Sequence, residues 1–191
     1  MNHGLMLTLL IRLALNTLGS SENRPYPYRS LNAHGHLKIV GLFSARQSTN
    51  SSDPNSCDRY QPDELVRIQA MIYAIEKINK DPRILPNMTL GYSIVDDCAS
   101  IDYAMQATLD WYIGPTLDLS GPSDYQFPIA MVGGSDSGIS TAVNSLMSVW
   151  DIAQISYGAT IPTLSLKQWY PTFMRYPRFG TYPIFIKNPH L

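Results

Sequence analysis

The stretch VGGSDSGIST, residues 132–141, follows a short apolar run and leads into a segment with helical spacing. A strand that enters a glycine- and serine-rich loop and then a helix points several backbone N–H groups at one place, which suits an anion. Three catalytic patterns come near this stretch, and each fails at a residue. Gly133 and Gly138 have the spacing of a phosphate-binding loop, but Ile139 stands where the lysine that grips phosphate belongs. Gly133-Gly134-Ser135-Asp136-Ser137 lacks the closing glycine of a nucleophile elbow. Of the dinucleotide-binding fingerprint only fragments are present. What remains is binding. A helix N-terminus flanked by the hydroxyls of Ser135, Ser137 and Ser140, with no lysine or arginine nearby in sequence, suits a carboxylate better than a phosphate. The alternative is that Ser135 or Ser137 simply caps the helix.

Outward from this loop the chain alternates. Residues 37–43 (LKIVGLF) read as a buried strand, and 44–62 as a polar surface loop. Ile68, Met71, Ile72, Ile75 and Ile78 predict a helix over 65–79 with one core-facing stripe, ended by Asp81-Pro82. A second strand follows at 90–95, a second helix at 101–112, and a Gly/Pro/Ser/Asp loop at 114–127. The third strand is 129–132, the third helix 138–150 and the fourth strand 154–157. This order predicts an α/β fold with a doubly wound parallel sheet. Ligands of such sheets sit at the carboxyl ends of the strands. VGGSDSGIST is at one such end and YGAT (157–160) at the next.

The chain has 191 residues, 45% apolar and 15% charged, with a formal net charge of −1. That suits one domain or a piece of a larger one, and it argues against electrostatic nucleic-acid binding. Residues 1–21 read as a secretory signal peptide, although Arg12 interrupts the apolar stretch, and 22–36 as a Pro/Ser/Asn-rich spacer without regular structure. In an oxidising compartment Cys57 and Cys98 are a natural pair. Asn50 and Asn87 head two glycosylation acceptor sequences. His3, His34, His36 and His190 sit where no catalytic base or metal cluster is expected. No enzyme activity, cofactor or metal is therefore expected.

RIQAMIYAIEKINKDPRILPNMTLGYSIVDDC (67–98), SDSGISTAV (135–143) and DIAQISYGATIPTLS (151–165) resemble the extracellular flytrap module of class C G-protein-coupled receptors. The likeness is greatest to calcium-sensing and pheromone-type receptors, with metabotropic glutamate receptors next. It covers roughly residues 37–175, as three ordered blocks. It implies a fold like type I periplasmic binding proteins, of which this chain carries most of lobe 1 only.

The resemblance also implies roles for particular residues. Ser137 would hold the α-carboxylate of an amino acid through its hydroxyl and N–H. Gly158, through its backbone, and Thr160, through hydroxyl and N–H, form a second set of contacts. Arg67 matches the arginine that glutamate receptors use on a side-chain carboxylate. In the calcium-sensing pattern that arginine stands one residue earlier, at Val66 here. A solvated arginine at a helix start is the competing reading of Arg67. Cys57 and Cys98 resemble the disulfide pair of the first lobe.

Partners follow in the same way: a small-molecule ligand, a receptor dimer formed through lobe 1, and a G protein reached only through a transmembrane part. Family members often link chains through cysteines in the loop matching 113–127, and this loop has none. A disulfide-linked dimer there is not expected. From 176 the tail departs from the family pattern. The chain is thus expected to be a fragment without lobe 2 or membrane helices. It would lie on the extracellular side of the plasma membrane within a full receptor and be secreted as written. The alternative is a free secreted binding or decoy protein that pairs with a full-length receptor.

Overall fold

The computed structural model describes residues 30–49, 56–117 and 128–176. The stretch read as a signal peptide, Asn50, the 118–127 part of the cysteine-free loop and the tail from 177 lie outside the described residues. In chain order the elements are β1 (Ser30–Ala33), β2 (Leu37–Phe43), β3 (Arg46–Gln47), β4 (Arg59–Tyr60) and α1 (Pro62–Lys80). Then come β5 (Leu90–Asp96), α2 (Ile101–Leu117), β6 (Pro128–Gly133), α3 (Ser137–Val149), β7 (Ala153–Ser156) and β8 (Phe173–Arg175). A 3-10 turn at Pro162–Ser165 connects β7 to β8.

One six-stranded sheet has the order β1-β5-β2-β6-β7-β8. β2 pairs in parallel with both β5 and β6, and β6–β7 and β7–β8 are also parallel. The expected doubly wound parallel sheet is present, with one strand added: β1 pairs antiparallel with β5 at the edge. β1 also falls inside the stretch read as an unstructured spacer. What admits it is a pair of glycines: a Cβ on Gly35 would lie 2.1 Å from the Gly91 backbone nitrogen. Only at such a crossing can the chain turn back tightly enough for Ser30–Ala33 to reach Tyr92–Val95.

Side-chain alternation in β2 feeds two separate cores. Val40 and Leu42 face one side, with Val95, Met131, Ala104 and Trp111 of α2, and Ile139, Val143 and Met147 of α3. Phe43 faces the other, where Ile68, Met71 and Ile75 of α1 pack with Leu90 and Ile94. A strand buried on both faces reads as a continuous apolar run, and LKIVGLF is one. A third, small cluster of Ala159, Leu164 and Phe173 fixes the β7–β8 connection. The strand and turn of that connection had no periodic signal in so few residues. α1 begins earlier than its apolar stripe, because Pro62 occupies its first turn with Asp63 and Glu64 behind it. α2 continues through Gly114 and Pro115 to Leu117, past the point where those residues predicted a loop.

Candidate functional site

Among the parallel strands the chain starts at β2, steps outward to β5, then returns to the other flank at β6. The order therefore reverses between β2 and β6, which is where sheets of this kind open a crevice at their carboxyl edge. Four loops meet there: those after β2, β5, β6 and β7.

The loop after β6 is built by its glycines. Gly133 and Gly134 have φ of 144° and 63°, and a Cβ on Gly134 would sit 2.3 Å from the Ser140 hydroxyl. α3 then starts at Ser137 with Asp136 as N-cap, whose Oδ1 accepts from the Ile139 N–H at 2.8 Å. The capping role entertained for Ser135 or Ser137 thus belongs to Asp136, and both serine hydroxyls are released for other partners. Ser137 Oγ accepts from the N–H groups of Thr160 (3.0 Å) and Ile161 (3.3 Å), so its own proton remains to donate. The structure thereby joins Ser137 and Thr160. It also spends the Thr160 N–H on Ser137.

Gly158 has a packing reason to be glycine. A Cβ there would lie 1.9 Å from the Ser135 carbonyl oxygen, so the loops after β6 and β7 touch backbone to backbone. The Gly158 N–H points to Ser156 Oγ (3.3 Å). Ser135 in turn lies 2.5 Å from Ser44 Oγ, and Ser44 donates to Asp97 Oδ1 at 2.6 Å. With the Ser44 proton on Asp97, Ser135 is the donor to Ser44.

Asp97 is fully buried, and among the described residues its Oδ2 meets no donor. Burial pushes this carboxyl up to about 7, with Asp96 and Glu64 adding to the rise, against the hydrogen bonds from Ser44 and the Ala99 N–H.

Arg67 is neither fully solvated nor free. It pairs with Glu64 one helical turn back and lies 5.3 Å from the centre of the Tyr157 ring. Glu64 is buried, and its Oε2 accepts from the Tyr157 hydroxyl at 2.6 Å. Burial drives the Tyr157 phenol far above its ordinary value, and the Glu64 carboxylate adds to this. Tyr157 also stacks on Phe43, with centroids 5.2 Å apart. Val66, the other position considered for a ligand arginine, is exposed.

Sequence reasoning missed Glu64, Tyr157, Ser44 and Asp97. Ser44, Asp97 and Tyr157 carried a usable signal, since they directly follow strands β2, β5 and β7, where the strand-end rule applies. Glu64 and Arg67 are three apart in a helix, the spacing at which opposite charges meet. His34 and His36 lie before β2, at the opposite edge of the sheet from the serines. Among the described residues no cluster of His, Cys, Asp or Glu has the makings of a metal site, and no helix is long and apolar enough to cross a membrane. Cys57 and Cys98 are disulfide-bonded, with Cα atoms 5.5 Å apart. Asn87 is exposed in a turn with φ of 60°.

An α/β lobe with hydroxyls and helix N–H groups gathered at its switch point is an arrangement suited to holding a ligand. Residues 66–183 match the family described as the receptor family ligand binding region. The extracellular calcium-sensing receptors of Sus scrofa and Homo sapiens are each 36% identical over 156 residues, covering 74% of this chain and 14% of theirs. Metabotropic glutamate receptor 4 of Rattus norvegicus is 28% identical over 191 residues, covering 93% of this chain and 20% of its own. The chain belongs to this receptor family, as a class C G-protein-coupled receptor ligand-binding region. It spans a fifth or less of the length of these relatives.

Proposed function

We propose that this lobe binds an amino acid at its carboxyl edge, with Ser137, Gly158, Thr160 and Arg67 around the ligand, as part of a receptor rather than an enzyme. The observation that carries the reading is the Ser137 hydroxyl at the start of α3. Two backbone N–H groups of the neighbouring loop hold its oxygen, and its proton remains available for a carboxylate. The helix N-terminus adds partial positive charge at the same place. One relative is a glutamate receptor, which supports an amino-acid ligand, and others are calcium-sensing receptors, which supports a calcium-responsive receptor. In this reading the lobe faces the extracellular side, pairs with a second receptor chain, and reaches a G protein through membrane-spanning sequence. Asn87 then carries a glycan.

Ser137→Ala and Thr160→Ala are expected to weaken amino-acid binding by about tenfold each, measured by titration calorimetry on chains whose circular dichroism matches wild type. The Thr160 N–H survives its substitution, so that variant reads the hydroxyl alone. Unchanged affinity in both variants rejects the site.

A further inference from the structure

We propose that Asp97 is a positioning residue that holds the loop after β6 in place through Ser44 and Ser135, and that loss of its proton weakens ligand binding. The inference rests on the amino-acid reading above. Its basis is a chain of hydroxyls that crosses three strand ends. Asp97, directly after β5, accepts from Ser44 at 2.6 Å, and Ser44, directly after β2, lies 2.5 Å from Ser135 in the loop after β6. Asp97 and Ser44 are 0% and 1% exposed, so solvent does not compete for the bond between them. The Ser135 carbonyl is pressed against Gly158, and two residues beyond Gly158 the Thr160 N–H holds Ser137 Oγ at 3.0 Å. A shift of Ser135 is therefore felt at both Ser137 and Thr160.

The surroundings suit a neutral carboxyl. Asp97 Oδ1 has two donors, Ser44 and the Ala99 N–H at 2.9 Å, whereas Oδ2 has none among the described residues. An ionised oxygen buried without a donor is less favourable there than a protonated one. The nearby arginines face other carboxylates. From β5, Asp96 is bonded to Arg46 at 2.6 Å, and from α1, Glu64 is matched by Arg67 and by the Tyr157 hydroxyl. Asp136 turns its carboxylate to the Ile139 N–H, and Asp102 at the start of α2 is exposed. Burial raises the Asp97 carboxyl to about 7, and the negative charge of Asp96 and Glu64 adds to the rise.

Once Asp97 ionises, water relieves the charge by opening the Ser44–Ser135 contact, and Ser137 loses its alignment with Thr160. Ligand and proton favour the same packed loops, so each strengthens the binding of the other.

The test titrates the full chain by calorimetry with L-alanine, L-serine and L-phenylalanine, none of which has an ionisable side chain. Wild-type affinity is expected to fall about tenfold between about pH 6 and about pH 8. Asp97→Asn, neutral throughout, should keep the low-pH affinity across that range. Ser44→Ala cuts the relay and should give a level profile at reduced affinity. In the ligand-free chain the amide resonances of Ser135, Gly158 and Thr160 should shift with a midpoint at about pH 7 in wild type, and not in Asp97→Asn. A level wild-type profile overturns the inference, as does a slope that survives in Asp97→Asn or in Ser44→Ala. Amino acids that bind at no pH, with those amides still shifting, reject the amino-acid reading while the coupling of Asp97 to the loops stands. Binding with a level profile and unmoved amides rejects the inference alone.

Discussion

Asp97 shows how a single residue can tie the site to pH. Its carboxyl is raised from 3.8 to about 7 in the folded chain, chiefly by burial. A raised acid leaves the folded state holding a proton that the unfolded state has already lost. Its contribution to stability is therefore complete below about pH 4 and disappears as pH rises to about 7, after which both states are ionised. Asp97→Asn keeps an acceptor for Ser44 and has nothing to ionise. It is expected to gain a few kcal/mol over wild type at about pH 8 and much less at about pH 4, measured by urea denaturation. Equal effects at both pH values would show that burial of charge is not the cause. Gly158 gives the complementary case, in which backbone contact outweighs chemistry. Gly158→Ala drives a Cβ into the Ser135 carbonyl and should cost about 1–3 kcal/mol while parting the two loops. An alanine variant as stable as wild type would mean that the loops separate freely.

At the scale of elements, α3 decides the site because its first turn carries it. Asp136 caps the helix through the Ile139 N–H, and Asp136→Ala should lower stability by about 1 kcal/mol in chemical denaturation. The cap also aims Ser137, so the same variant should weaken ligand binding by more than its stability loss alone explains. Binding that merely follows stability would leave the cap no part in aiming Ser137. The elements with a long apolar period were legible in the sequence. β2 spans the residues its run predicted, and α1, β5, α3 and β7 lie where their patterns placed them. β1 and β8 were not, because Ser30–Ala33 has no apolar run, Phe173–Arg175 is three residues long, and both depend on pairing with strands elsewhere in the chain. The same division holds at the site. Ser137 and Thr160 stood out by lying in strand-end loops, and the structure brings them together. Glu64 and Tyr157 are 93 residues apart, and only the folded sheet makes them partners.

At the scale of the whole molecule, the disulfide closes the same edge that carries the proposed site. Cys57 precedes β4 and the start of α1, and Cys98 follows Asp97, so the bond ties the entry of α1 to the end of β5. The backbone there is otherwise costly to hold. Cys57, Cys98 and Ala99 all have φ near +50°, a region that non-glycine residues seldom occupy. Local acceptors offset part of that cost: Asp96 Oδ1 takes the Cys98 N–H at 3.0 Å, and Asp97 Oδ1 takes the Ala99 N–H at 2.9 Å. Across the sequence separation of 41 residues, the chain-entropy account assigns the cross-link about 4 kcal/mol. A Cys57→Ser/Cys98→Ser chain should therefore melt well below wild type, and reductant should lower the wild-type midpoint by a similar amount while leaving the double variant unmoved. Because α1 carries Glu64 and Arg67, loosening its entry should also weaken the proposed amino-acid binding. A double variant that melts with wild type would show that the sheet and its two cores hold this edge without the bond. One that melts early yet binds as wild type would confine the disulfide to stability.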